Sequence, residues 1–153
     1  MAQALFANQR ETNLQSTIAL VEEVLTELGY PPAAARVHDA GALHAWQILK
    51  GSATTRVALV DRTEFTHLRV CSTVMTLDAK VDRTALYAHL LDLNAGLCGA
   101  AFATEGDRVL LLGERTTLDL DRSEVLDIVK RITSSADDHD DVLVARFGGT
   151  LGG

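Results

Sequence analysis

The chain has few of the residues that mark specialised protein classes. Its 153 residues include two cysteines, two prolines and one tryptophan. Both cysteines lie within strand patterns, so we expect free thiols and no disulfide framework. No apolar run reaches the roughly 20 residues of a membrane-spanning helix, and the N-terminus lacks the pattern of a secretory signal. We therefore expect a cytoplasmic protein with no membrane contact.

The charge is predominantly acidic. Fourteen Lys and Arg residues against 21 Asp and Glu give a formal net charge of -7, and the basic residues form no tract. Sequence-independent nucleic-acid binding depends on Lys and Arg neutralising phosphates. We expect no direct binding to nucleic acid, although the scatter of basic residues leaves room for a local patch.

No complete catalytic, metal or nucleotide motif is present. The segment 137–141 reads DDHDD, but neighbours on a helix point in different directions, which favours a solvated acidic face over a metal site. His38, Asp39 and His44 lack a recognisable nucleophile. The terminal segment 148–153 is rich in glycine, follows a helix and lacks the lysine of a phosphate-binding loop. The sequence therefore predicts no catalytic residue, no metal ligand and no cofactor.

Three helices follow from apolar residues at three- and four-residue spacing. The first is predicted from Thr12, in a capping box with Gln15, to Leu28. The second begins near Asp82, and the third follows a capping arrangement of Asp121 with Glu124 and continues almost to the C-terminus.

Five strands are predicted from segments rich in β-branched and aromatic residues. Short turns join the first three into an antiparallel meander and the last two into a hairpin. The order αβββαββα indicates an α+β fold with a twisted five-stranded antiparallel sheet and three helices. We expect a single domain over 12–147, with a flexible N-terminus at 1–11 and a flexible tail at 148–153.

Several short motifs distributed along the chain resemble one known family. They are Ala45-Trp46-Gln47-Ile48 before Gly51-Ser52-Ala53, Val70-Cys71-Ser72-Thr73-Val74, Leu90-Leu91-Asp92-Leu93-Asn94, Ala100-Ala101-Phe102, Gly106-Asp107-Arg108-Val109, Ala136-Asp137-Asp138 and Arg146-Phe147-Gly148. Together with the element order, they resemble the YbjN-type family of small bacterial proteins, which has the type III secretion chaperone-like fold. The resemblance implies a homodimer that binds other proteins, has no enzymatic role and is linked to stress responses and regulation.

The residues also favour a dimer independently of this resemblance. The predicted strands carry apolar residues on both faces, so a second copy would cover the face left open. The second helix is apolar around much of its circumference. We therefore favour it as the dimer contact over simple core packing, with the candidate residues Leu86, Leu90, Leu91 and Leu93.

Four residues are candidates for binding a partner protein. His67, Arg69 and Cys71 alternate along one strand face and would line a polar groove; in the alternative interpretation they belong to a half-buried face on which Cys71 acts as a small apolar residue. Trp46, the lone tryptophan, is either a core residue or an anchor for the partner.

These observations favour a non-enzymatic protein-binding adaptor or chaperone-like homodimer, in a bacterial stress-response or regulatory pathway. The alternative is a small-ligand-sensing or enzymatic domain whose site is assembled from scattered residues. In the favoured interpretation the partner is another protein, and its docking segment is extended.

Overall fold

The structure is a computed structural model that describes residues 2–152, and it confirms the α+β class and the antiparallel sheet. It contains four helices and seven strands. The helices are α1 Ala2–Glu27, α2 Pro32–Ala35, α3 Arg83–Asn94 and α4 Arg122–Phe147. The strands are β1 Arg36–Val37, β2 His44–Lys50, β3 Ala53–Asp61, β4 Thr66–Thr76, β5 Ala101–Glu105, β6 Arg108–Thr116 and β7 Thr150–Leu151.

The strands form one sheet in the order β1-β2-β3-β4-β6-β5, and β7 pairs with β4. Every neighbouring pair is antiparallel. The predicted meander β2-β3-β4 and the predicted hairpin β5-β6 are both present, and Gly106 has the positive φ that the hairpin turn requires. The two additional strands, β1 and β7, are each two residues long and carry too little pattern to be predicted.

One hydrophobic core lies between the sheet and the helices α1, α3 and α4. In β4, Leu68, Val70 and Val74 are fully buried in this core. The predicted caps of two helices are confirmed: Asp82 accepts a hydrogen bond from the amide of Ala85 in α3, and Asp121 forms a reciprocal capping box with Glu124 in α4. The apolar stripe predicted for the last helix faces the core and includes Val125, Ile128, Val129, Ile132, Ala136 and Leu143.

The first helix is longer than the sequence predicted. It begins at Ala2, so the predicted cap at Thr12 is wrong and most of the segment expected to be a flexible N-terminus is helical. Thr12 lies inside the helix, where its carbonyl accepts a hydrogen bond from Ser16 Oγ. No glycine or proline interrupts 2–27, and Ala, Gln, Leu, Arg and Glu in its first half are favourable helix formers.

The tail is bound to the sheet, which corrects the prediction that it is flexible. Thr150 and Leu151 pair with β4, and the Gly152 amide donates to the carbonyl of Val74 at 3.3 Å. A Cβ atom at Gly149 would lie 2.5 Å from the carbonyl oxygen of Thr76, and the φ of Gly149 is +80°. The glycines therefore permit close approach of two backbones, which is the reason that this segment adds a strand.

The acidic segment of α4 is only partly a solvated face. Asp137, Asp138 and Asp141 are exposed as predicted, but Asp140 is 2% exposed. Its carboxylate accepts a hydrogen bond of 2.6 Å from Ser52 Oγ in the β2-β3 turn. Asp140 therefore fastens α4 to that turn, a contact between distant parts of the chain that helical spacing alone does not show.

Substituting Gly149 by alanine should destabilise the protein more than the same change at Gly106. Both glycines have positive φ, but a Cβ atom at Gly106 meets nothing within 4 Å. Gly106→Ala should lower the free energy of unfolding by about 1–2 kcal/mol because of its backbone conformation, and Gly149→Ala should add a steric cost. Urea unfolding measures both. Equal effects would contradict the pairing of β7 with β4.

Candidate functional site: the open face of the sheet

The helices cover one face of the sheet and leave the other, which we call the open face. In β4 the side chains alternate strictly from Thr66 to Val74, since even-numbered residues are buried in the core and odd-numbered residues are half-buried on the other side. The register of the neighbouring strands places further residues on the same side. The open face includes Gln47, Thr54, Arg56, Ala58, His67, Arg69, Cys71, Thr73, Leu110, Leu112 and Glu114.

Much of the open face forms the floor of a concavity of about 980 Å³. The segment 38–41, which follows β1, lines one part of it, and Gly152 beyond β7 lines another. A small apolar cluster lies beneath the β1-β2 loop and joins Ala45, Ala58 and Val60 to Val37 and Ala42. The loop thus packs against this side of the sheet and bounds the concavity there.

A carboxylate held by two arginines lies on the open face. Glu114 accepts hydrogen bonds from Arg62 at 2.7 and 2.8 Å, and from Arg69 at 2.8 Å. Arg69 and Glu114 are register partners on β4 and β6, whereas Arg62 reaches them from the β3-β4 turn. The hydrogen bonds from Arg62, followed by the one from Arg69, lower the pKa of Glu114 to about 2.

A third arginine, Arg56, lies on the neighbouring strand β3, diagonally across from Arg69. Arg56 donates to Asp39 at 3.0 Å and to Gln47 at 2.9 Å, and its Nε atom is buried without an acceptor among the described residues. Cys71 is the register partner of Arg56. Burial raises the pKa of the Cys71 thiol, and Arg69 opposes this shift only in part. The neutral thiol therefore contributes a small apolar surface rather than a reactive thiolate.

Three of the four predicted partner-binding residues share this surface, and the fourth does not. His67, Arg69 and Cys71 lie in one row along β4. Trp46 is fully buried and faces the core from β2. Its Nε1 atom lies 3.3 Å from Glu22 Oε1, to which it donates. The core interpretation of Trp46 is therefore correct, and the anchor interpretation is wrong because the alternation of β2 points this side chain inward.

The residues that surround this row were not predicted from the sequence. Arg56 and Gln47 belong to β3 and β2, and Glu114 belongs to β6, so only the strand register brings them beside Arg69. Arg56 is the only charged residue in 54–60, among threonines and apolar residues, and this isolated charge was the usable signal for it. No local pattern indicates that Arg62, in a turn, pairs with Glu114.

Comparison with family models identifies the chain. Residues 15–151 match the model TY-Chap1, described as "T3SS (YopN, CesT) and YbjN peptide-binding chaperone 1". The chain belongs to this family. The match spans nearly the whole chain, and it confirms the resemblance seen in the sequence.

Several solved structures share the fold of this chain. A chain from the ExsC-ExsE complex has a TM-score of 0.64 at 14% identity, with 84% of this chain and 94% of that chain covered. A chain from the HopA1-SchA chaperone-effector complex has a TM-score of 0.59 at 12% identity, with 86% of this chain and 97% of that chain covered. A chain from the ExoT-SpcS complex of Pseudomonas aeruginosa has a TM-score of 0.52 at 16% identity, with 80% of this chain and 95% of that chain covered. No curated protein sequence matches the chain.

The residues predicted as dimer contacts are mostly part of the protomer's own core. Leu86 is 0% exposed and Leu90 is 4% exposed, so neither is available to a second copy. Leu93 is partly buried against the same core. Leu91 alone is well exposed, at 69%. Periodicity identified a buried stripe on α3 correctly, but the sheet of the same chain covers that stripe.

The described residues 2–152 offer no group of three or more His, Cys, Asp or Glu side chains that is suited to hold a metal ion. Within the same range, no helix is both long enough and apolar enough to cross a membrane. His44 packs against Trp46, at 4.6 Å between ring centroids, while Asp39 binds Arg56 on the open face. Among the described residues, Asp39 thus forms its ion pair with an arginine rather than with a histidine.

The pairing of Glu114 should make stability depend on acid pH. Because its folded pKa of about 2 lies below the ordinary value of 4.5, the ionised carboxylate stabilises the folded chain fully above pH 4.5, and this contribution is lost as the pH falls towards 2. The difference in unfolding free energy between the wild type and Glu114→Gln should shrink over that range. Chemical unfolding at several pH values measures it.

The matched control for this experiment removes Arg62, whose hydrogen bonds are the largest cause of the lowered pKa of Glu114. In an Arg62→Gln background, the effect of Glu114→Gln should depend less on pH, because the main hydrogen bonds to the carboxylate are absent. An unchanged pH dependence in that background would contradict the assignment of the shift to Arg62.

Proposed function

We propose that this protein is a non-enzymatic peptide-binding chaperone or adaptor that holds an extended segment of another protein on the open face. The observation that carries the proposal is the concavity of about 980 Å³ on a sheet face without a covering helix. The description of the family as peptide-binding supports it. The solved relatives support it too, since the HopA1-SchA structure is named a chaperone-effector complex.

The chemistry of the open face suits an extended chain better than a compact small molecule. Thr54 and Thr73 present hydroxyls, while Cys71 presents a small apolar surface, so the strands form a shallow floor. Such a floor offers hydrogen bonds to a peptide backbone and room for alternate side chains. A small-molecule site usually encloses most of its ligand within apolar and aromatic walls, and this concavity is open and largely polar.

We further propose that the chaperone is a cytoplasmic homodimer that acts in a bacterial stress-response or regulatory pathway. The exposed Leu91 supports α3 as the dimer contact, because a leucine that is 69% exposed on a helix gains free energy when a second copy covers it. Leu91 lies on α3, and the partner peptide is proposed to bind the open face, so one protomer would use separate surfaces for the two interactions.

Photo-crosslinking in the source cell tests where the partner binds. A benzophenone amino acid at Gln47, which is exposed on the open face, should give a crosslink to another protein. The same probe at Val142, which is 59% exposed on α4, should not give that crosslink. Equal crosslinking from both positions, or a partner crosslinked only from Val142, would overturn the proposed use of the open face.

The dimer contact is tested by a charge at its proposed centre. Leu91→Asp should raise the dimer dissociation constant at least about ten-fold, because burying an unpaired carboxylate costs several kcal/mol. Val142→Asp introduces the same charge at a comparably exposed position of α4 and should have little effect. Analytical ultracentrifugation measures both. A wild-type monomer at micromolar concentration would overturn the homodimer.

A further inference from the structure

The concavity on the open face carries more positive charge than the chain as a whole. Arg56, Arg62, Arg69 and Arg108 line the concavity. They face three carboxylates, which are Asp39 and Glu105 within the concavity and Glu114 beside it. The balance is a surplus of one positive charge on one face of a chain whose formal net charge is -7. The distribution of charge is therefore uneven, and the concavity is locally positive in an acidic chain.

The arginines of this face retain unused hydrogen-bonding capacity. A guanidinium group has five N–H donors, yet within the described chain Arg69 makes one hydrogen bond, from Nη1 to Glu114. Arg56 makes two, and its Nε atom has no acceptor. Glu114 accepts hydrogen bonds from both Arg62 and Arg69, so it leaves N–H donors of Arg69 without an acceptor in the part of the chain that the structure describes. These donors are available for a second carboxylate.

We propose that the partner segment is acidic and that its carboxylates pair with Arg56 and Arg69 on the open face. This inference rests on the proposed peptide-binding function and specifies the chemistry of the peptide. Arg56 is the register partner of Cys71, and Arg69 lies two residues along β4 from Cys71. Such diagonal neighbours are about 7–8 Å apart. Alternate side chains of an extended peptide are separated by about 6.6 Å, so carboxylates at positions i and i+2 match the two arginines.

The same face is less suited to nucleic acid, the other common polyanion. Binding of single strands relies on aromatic side chains that stack with the bases, and the described residues that line the concavity include no Phe, Tyr or Trp. The acidic remainder of the protein would also repel an extended phosphate backbone. A short acidic peptide needs only the local surplus of arginines.

Fluorescence anisotropy with a defined peptide tests this inference. The probe is a labelled peptide of about ten residues that alternates glutamate and threonine, and its control has glutamine in place of every glutamate. We expect the glutamine peptide to bind at least about ten-fold more weakly, since hydrogen bonds to charged groups contribute more than neutral ones. The affinity of the glutamate peptide should also fall as salt rises from about 0.1 to 1 M.

Arginine variants locate the binding on the open face. The double variant Arg56→Gln, Arg69→Gln should bind the glutamate peptide at least about ten-fold more weakly. Its affinity for the glutamine peptide should be unchanged. Arg122→Gln is the matched control, because Arg122 lies at the start of α4 and pairs with Glu23 and Glu27 of α1. It should leave the affinity unchanged. Circular dichroism and thermal melting check that each variant is folded.

A second variant tests the charge of the open face while leaving both arginines in place. Arg56 already donates to Gln47 Oε1 at 2.9 Å. The nearly isosteric change Gln47→Glu keeps this hydrogen bond and places a carboxylate on the guanidinium, so the sheet should remain folded while the face loses its surplus charge. The glutamate peptide should bind several-fold more weakly to Gln47→Glu.

The outcomes separate this inference from the proposed function. If both peptides bind equally and the arginine variants have no effect, the acidic preference is overturned while peptide binding stands. If neither peptide binds, the inference is overturned, and crosslinking from position 47 still decides whether the open face holds a partner. Tighter binding of a single-stranded oligothymidine than of the glutamate peptide, at equal charge, would overturn the inference in favour of nucleic acid.

Discussion

The alternation of side chains along β4 is the constraint on which both the core and the candidate site depend. β4 is paired with β3 on one edge and β6 on the other, and it places Leu68 and Val70 in the core and Arg69 and Cys71 on the open face. A shift of one residue in register would exchange the two sets. The apolar core therefore fixes the register, and through the register it fixes which polar side chains face outward.

Sequence patterns predicted the kinds of elements well, because periodicity and capping are local. The caps at Asp82 and Asp121 and the turn at Gly106 each depend on a few adjacent residues. The two ends of the chain were predicted incorrectly for different reasons. At the N-terminal end, the sequence contains no helix breaker that would mark where the first helix starts. At the C-terminal end, glycine is compatible with both flexibility and close approach of two backbones, so the role of Gly149 was evident only from its position beside Thr76.

The site was predictable only along a single strand. Alternation in β4 brought His67, Arg69 and Cys71 together, but their neighbours come from strands whose register a single sequence does not specify. A similar limit applies to Trp46 and to the leucines of α3. An apolar stripe has the same spacing whether the chain itself or a second copy covers it, so periodicity identified Leu86 and Leu90 as buried without indicating which surface buries them.

The carboxylates of the open face have a further effect, because they hold the arginines in place. A free arginine side chain loses about 2 kcal/mol of rotamer entropy when it is immobilised. Glu114 already binds Arg69, and Asp39 with Gln47 already binds Arg56, so part of this entropy is lost on folding rather than on binding. An incoming segment then meets donors in fixed positions and mainly has to order itself. Because Arg69 and Glu114 are half-buried, their field is also screened less by water than that of a fully exposed pair.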